Sequence, residues 1–351
     1  MKNHAITRRA FLAAATTTAA IAASAQPNTA RVVPRKVSPN EQLNVAGIGV
    51  GGKGLSDIMS CRRENIVALC DVDTEQAGEA FYRNPEAKQY QDYRKMLEEM
   101  GDQIDACTIS TPDHMHAPAA YMAMMMGKHV YVQKPLTHTI AEARLLTETA
   151  RKQGVATQMG NQGHSGSGVR ELCEMVWDGA IGQIREAHVW TDRPGSRWPQ
   201  GVGEMPAGQP VPESLDWDLW IGAAPMRPYH RDYAPRRWRG WWDFGCGALG
   251  DMACHIMDPA FWALKLADAP TISIEAIKAE QRNDQTCPLN CIIKFSYPAR
   301  GEMNPVDVYW YENGQTPKHP VDLPVTETLG DGKNGSLFIG ENGYLTSGEY
   351  G

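Results

Sequence analysis

Two groups of side chains have types and spacings that could move a proton. Lys134 stands in Gln133-Lys134-Pro135, directly after the apolar run His129-Val130-Tyr131-Val132. If that run is a strand of an open α/β sheet, its carboxyl end faces a ligand crevice, and Pro135 fixes the backbone that presents the lysine. An ammonium desolvated in such a crevice can have its pKa driven down and exchange a proton with a hydroxyl. Asp251 and His255 are four residues apart, a spacing that puts both on one helix face. An aspartate there could orient and stabilise a histidine that takes a hydroxyl proton. Asp258 and Trp262 extend that face, and Pro259 has no N–H for the carbonyl of His255, which predicts a kink at the histidine.

Further candidates are contacts rather than catalysts. Nine of the ten tryptophans lie between Trp177 and Trp262, several beside arginines. Flat rings stack on apolar sugar faces and guanidinium groups donate to hydroxyls, so Arg193, Trp198 and Trp241 are expected to touch substrate, though core packing suits most of the tryptophans. His164, in a polar glycine-rich loop, is a further candidate contact. His114 and His116 follow Thr111-Pro112-Asp113, and no acid or cysteine completes a metal set around them. They mark a helix start after the strand Ala106–Ser110, with Thr111, Pro112 and His116 facing a cofactor.

Those groups need a scaffold, and the first half of the chain supplies its signature. Leu43–Gly49 is a short buried strand that runs into Gly49-Val50-Gly51-Gly52-Lys53-Gly54. Gly49 permits a tight turn, Gly51 lets backbone approach a pyrophosphate, and Gly54 lets the next helix pack closely. The helix N-terminus, with Gly52, presents free N–H groups to phosphate. A second apolar strand, Ile66–Cys70, ends at Asp71, twenty residues after Gly51. An acid there accepts from adenosine ribose hydroxyls and disfavours a 2′-phosphate, which favours NAD over NADP. Gln133 and Lys134 at the later strand end complete the expected cofactor contacts.

The glycine loop, Asp71, Thr-Pro-x-His-x-His, Lys-Pro after a strand and the glycine-rich lead Gly245–Gly250 into Asp251-x-x-x-His255 together resemble the glucose–fructose oxidoreductase / inositol dehydrogenase (Gfo/Idh/MocA) family. The resemblance covers about residues 42–351. It implies an N-terminal Rossmann domain, a C-terminal α/β domain with a mostly antiparallel open sheet, and a tightly bound NAD. It also implies a substrate contact and a share in proton relay for Lys134, with Asp251 and His255 beside it. The implied activity is NAD(P)-dependent oxidation of a CH–OH group of a sugar or polyol. The alternative is a glycoside hydrolase that uses NAD transiently, through oxidation and elimination. Two features depart from the pattern. Gln133 stands where a glutamate is usual, which puts the tuning of Lys134 in question, and the chain stops at Gly351, where truncation is expected.

The remaining sequence bounds these readings. At 351 residues, 42% apolar and 21% charged, the chain is expected to form two domains, residues 42–160 and 161–351. A net charge of −7 argues against nucleic acid or an anionic membrane as a partner, and no membrane span is expected after residue 25. The expected partners are a small sugar, polyol or glycoside and further copies of the chain, joined through the apolar-rich late strands Ile272–Ile277, Asn290–Phe295 and Val306–Tyr311. Arg8-Arg9, an Ala/Thr-rich run and Ala23-Ser24-Ala25 read in order as a twin-arginine export signal over residues 1–25, with 26–41 as a linker. Export to the periplasm follows as an expectation. The eight cysteines read as buried free thiols, with a Cys287–Cys291 bridge as the minority alternative.

Overall fold

A computed structural model describes Ser38 and residues 41–351, so the expected export signal over residues 1–25 and most of the expected linker lie outside the described residues. The first unit alternates strands and helices: β1 (Asn44–Ile48), α1 (Lys53–Ser60), β2 (Asn65–Cys70), α2 (Thr74–Arg83), β3 (Lys88–Tyr90), α3 (Tyr93–Met100), β4 (Ala106–Ile109), α4 (Asp113–Met125), β5 (His129–Gln133), α5 (Ile140–Gln153) and β6 (Thr157–Gly160). All six strands pair in parallel, in the order β3-β2-β1-β4-β5-β6. The order reverses at β1, so the carboxyl ends of β1 and β4 open a crevice at the switch point. Central strands with helices on both faces must be apolar throughout, and β1 is buried along four of its five residues. Local chemistry ends the helices cleanly. Asp73 caps α2 through the Glu75 and Gln76 amides, Thr139 and Glu142 form a capping box on α5, and Gly154 closes that helix in the left-handed region at φ 68°.

The second unit comprises α6 (Ser167–Trp177), β7 (Ile184–Trp190), α7 (Trp217–Ile221), α8 (Gly247–Ile256), α9 (Asp258–Ala263), β8 (Ser273–Glu280), β9 (Leu289–Tyr297), β10 (Val306–Tyr311), β11 (Gly335–Gly340) and β12 (Tyr344–Ser347). Its sheet runs β12-β11-β7-β10-β9-β8. Every neighbouring pair is antiparallel except β7 with β10. Helices α6, α8 and α9 pack on one face, where Val189, Val308, Trp310 and Phe338 meet Val169, Met252 and Ile256. Edge strand β8 is largely exposed, with Ile274 and Ile277 open to solvent. Cys287 and Cys291 are both buried free thiols. No helix among the described residues is long and apolar enough to cross a membrane.

Two features join the units. An aromatic cluster, Trp220, Tyr233, Trp238, Trp241 and Phe244, fills the segment between β7 and α8. Its leading stretch straps across the start of α2: Thr74 N–H donates to Ser214 O (3.0 Å), Asp216 N–H to Val72 O (2.9 Å), and Leu215 pairs with Asp73.

A candidate dinucleotide and hydroxyl-oxidation site

A cavity of about 1020 Å³ lies along the carboxyl ends of β1, β2, β4 and β5, roofed by the aromatic segment and α8. Its size is at the top of the range for small-molecule sites. One end is built for a dinucleotide. Gly49 (φ 73°) and Gly52 (φ 53°) adopt left-handed conformations, and a Cβ on Gly54 would sit 1.8 Å from Gly49 O. The loop and helix α1 therefore close to a distance only glycine allows, and α1 has no side-chain cap to occupy its first amides. Gly49, Gly51, Gly52, Asp71, Thr111, Pro112, Gln133 and Lys134 all line the cavity, whereas Gly54 serves the packing behind it. Asp71 also braces the loop, accepting from Val50 N–H (2.8 Å) and Gly51 N–H (2.9 Å). Burial raises its carboxyl pKa against those amide bonds.

The other end gathers the titratable groups. Lys134 Nζ donates to Asp251 Oδ1 (2.9 Å) and to Asp251 O (2.8 Å), and Arg239 Nε donates to the same Oδ1 (3.0 Å). Burial opposes ionisation of Asp251, but the Lys134 ammonium and Arg239 guanidinium outweigh it, so its carboxyl lies below the usual range. His255 Nδ1 lies 3.2 Å from Gln162 O. A carbonyl only accepts, so Nδ1 carries the proton and a neutral ring leaves Nε2 as a free acceptor. Burial, with Lys134 nearby, lowers the His255 pKa to about 4, so the ring is neutral at pH 7.

Asp251 thus orients Lys134, not His255, which corrects the expected Asp–His pairing. Both residues still share the cavity-facing side of α8. The helix breaks at Met257 rather than at His255, since α9 restarts at Asp258 with Pro259 in its first turn.

Arg193 lines the cavity, its Nη1 2.9 Å from Met252 Sδ. The other expected contacts lie elsewhere. Trp241 is 1% exposed and its Nε1 donates to Asp232 O, inside the aromatic cluster. Trp198 is buried behind Arg239, with Nε1 donating to Gln200 Oε1. Both rings are core, because their N–H groups find internal acceptors and no face reaches the cavity. His164 stacks on Trp262 and pairs with Asp258, along a separate groove. His116 is fully buried, with its nitrogens against Pro135 O (2.7 Å) and Thr111 O (2.8 Å). It braces the two strand-end loops against each other and does not itself face the cavity. His114 is likewise buried, with Nε2 donating to Trp220 O. Among the described residues no three His, Cys, Asp or Glu side chains converge as a metal site.

The cavity also contains residues that sequence reasoning passed over: Arg239, Asp113, Gln162 and Tyr350, whose ring meets His255 edge-on at 5.3 Å. Asp113 is 3% exposed, and its Oδ2 accepts from Cys246 N–H. Burial, then the nearby Asp251 charge, pushes its carboxyl up to about 7. An acid inside the Thr-Pro-x-His-x-His run was a visible signal, whereas nothing local marked Tyr350 or Gln162.

Residues 43–161 match the oxidoreductase family with an NAD-binding Rossmann fold, and residues 166–303 match the same family's C-terminal alpha/beta domain. The chain belongs to the Gfo/Idh/MocA oxidoreductase family. Among relatives of this Gfo/Idh/MocA chain, a glycosyl hydrolase family 109 protein of Shewanella sp. (strain W3-18-1) is 31% identical over 207 residues, 52% of the chain and 45% of the relative. An uncharacterized oxidoreductase of Synechocystis is 24% identical over 70% of the chain and 57% of the relative. The chain spans about half the length of the curated relatives it matches. In fold it is similar to the WlbA dehydrogenase of Bordetella pertussis, solved with NADH and UDP-GlcNAcA (TM-score 0.59, 16% identity, 87% of this chain and 79% of that one). It is also similar to myo-inositol dehydrogenase of Lactobacillus casei (TM-score 0.56, 18% identity, 88% and 75%).

Proposed function

We propose that this chain binds NAD and oxidises a CH–OH group of a sugar or polyol, with Lys134 and His255 handling the hydroxyl proton. The observation that carries the reading is the convergence of Lys134, Asp251, Arg239 and His255 at the open end of the glycine-loop cavity. The loop at Gly49–Gly52, the first amides of α1, Asp71 and Thr111 would hold the dinucleotide, which supplies hydride transfer when bound. Asp71 places a negative charge at the ribose end, which favours NAD over NADP. Lys134, fixed by Asp251, donates to the substrate oxygen and stabilises negative charge that develops there. His255 Nε2 is the free acceptor that takes the hydroxyl proton. Arg193 and Arg239 offer donors to neighbouring hydroxyls.

A second reading is favoured by the strap over α2. Two backbone hydrogen bonds, which pair Asp73 with Leu215, close the adenosine end, which suits a cofactor that is retained. A retained cofactor suits redox-neutral glycoside cleavage. In that sequence transient oxidation acidifies the adjacent C–H, loss of that proton expels the glycosidic oxygen, water adds, and the ketone is reduced again. The names of the family 109 relatives point the same way. A retained cofactor also fits export of the folded protein through the twin-arginine leader, and the uncovered face of the C-terminal sheet fits a homo-oligomer.

The experiment that tests both readings incubates cofactor-loaded protein with sugars and aryl glycosides while nicotinamide absorbance and aglycone release are followed together. Lasting reduction without release supports the dehydrogenase. Release without net cofactor change supports the hydrolase. Neither signal across the panel refutes the proposal.

A further inference from the structure

Asp57 is a buried carboxyl, 6% exposed, on helix α1 beneath the glycine loop, and no step above uses it. It accepts three hydrogen bonds: one from Lys53 Nζ, one from Ser110 Oγ (2.8 Å) and one from Gln133 Nε2 (2.8 Å). A carboxylate only accepts, so the Gln133 amide can stand only one way round, with its NH2 toward Asp57. Gln133 Oε1 therefore faces the opposite side, where it accepts from Lys134 N–H (3.3 Å) and Gln162 Nε2 (3.4 Å). Gln162 Nε2 donates also to Gly160 O (3.0 Å), which fixes the second amide in turn. The main-chain carbonyl of Gln162 is the acceptor for His255 Nδ1. A continuous path thus runs from the phosphate-loop lysine through Asp57, Gln133 and Gln162 to the histidine.

We propose that Asp57 is the charged partner that makes glutamine the required residue at 133, and that Gln133 and Gln162 are positioning residues that hold His255 in its Nδ1–H form. The inference rests on the role given to His255 above. A glutamate at 133 would set a second carboxyl at hydrogen-bonding distance from Asp57. Two such groups cannot both ionise, and a proton or a broken contact must follow. Moving the charge, with Asn at 57 and Glu at 133, rebuilds the path with its polarity intact. The Asn amide then donates to the glutamate, which still accepts from Gln162 and Lys134.

The test is a charge-swap cycle on the full chain, read three ways. Gln133→Glu should lower the melting temperature at pH 8 and reduce turnover on the order of tenfold to a hundredfold, the usual cost of a displaced reacting group. Asp57→Asn added to that variant should restore both. In wild-type protein, 15N spectra of the histidines, with the His255 signal identified by its loss in His255→Gln, should show Nδ1 protonated. Gln133→Leu, which cuts the path, should shift that signal toward a mixture of tautomers. A tolerated Gln133→Glu, absence of rescue by Asp57→Asn, or an unchanged tautomer in Gln133→Leu would each overturn the inference. The stability and spectral readouts need no substrate. If no sugar is turned over while the swap and the tautomer behave as stated, the functional reading fails and the positioning path stands.

Discussion

Replacing Asp113 by asparagine should make the protein more stable at alkaline pH, and the effect can be sized from the structure. The side chain is 3% exposed at the first turn of α4, and its Oδ2 accepts from Cys246 N–H at 3.2 Å. Burial and the Asp251 charge raise its carboxyl from 3.8 to about 7, against the pull of Arg239 and Lys134. A raised folded-state pKa means the native protein holds a proton that the unfolded chain releases. The stability that proton brings is full below about pH 4 and is lost as pH rises through about 7. Asparagine keeps an acceptor for the Cys246 amide and never ionises. Integrating the linkage between pH 5 and pH 8, the variant should gain about 3 kcal/mol on the wild type. Urea denaturation of both proteins at the two pH values, without cofactor, measures this directly. A stability difference that stays flat across the interval would refute the burial argument for Asp113.

Two further outcomes follow from the same geometry. The rate should fall as pH drops through about 4, because His255 must be neutral to accept a proton, and His255→Asn should lose on the order of 10² to 10⁴ in turnover; an acid limb at the ordinary histidine value, or one retained in the variant, argues against His255 as the base. Gly54→Ala should weaken NADH binding about 10- to 100-fold, since its Cβ meets Gly49 O at 1.8 Å and helix α1 must withdraw; a fluorescence titration with wild-type affinity would show that the loop has slack.

The sequence alone determined the features that depend on local covalent chemistry. Gly49, Gly51 and Gly54 were legible because a left-handed turn and a close helix approach admit no other residue. Asp71, Thr111 and Lys134 were legible because each ends an apolar strand, and strand ends in a parallel sheet share one edge. The Asp251/His255 spacing likewise placed both on one helix face. Partners across long sequence separations were decided only by the tertiary structure. Asp251 chose Lys134, 117 residues away, over His255 on its own helix, because charge complementarity beats proximity along the chain. The sequence does not tell which tryptophans are core and which meet a ligand, and only packing puts Trp198 in the core of the second unit and Trp241 in the aromatic cluster, their N–H groups on Gln200 and Asp232. Tyr350 reaches the cavity because β12 delivers it beside Gly163, a contact that no periodicity or motif encodes. Periodicity and spacing report which face a residue occupies, whereas the neighbour it meets there is set by how separate elements pack.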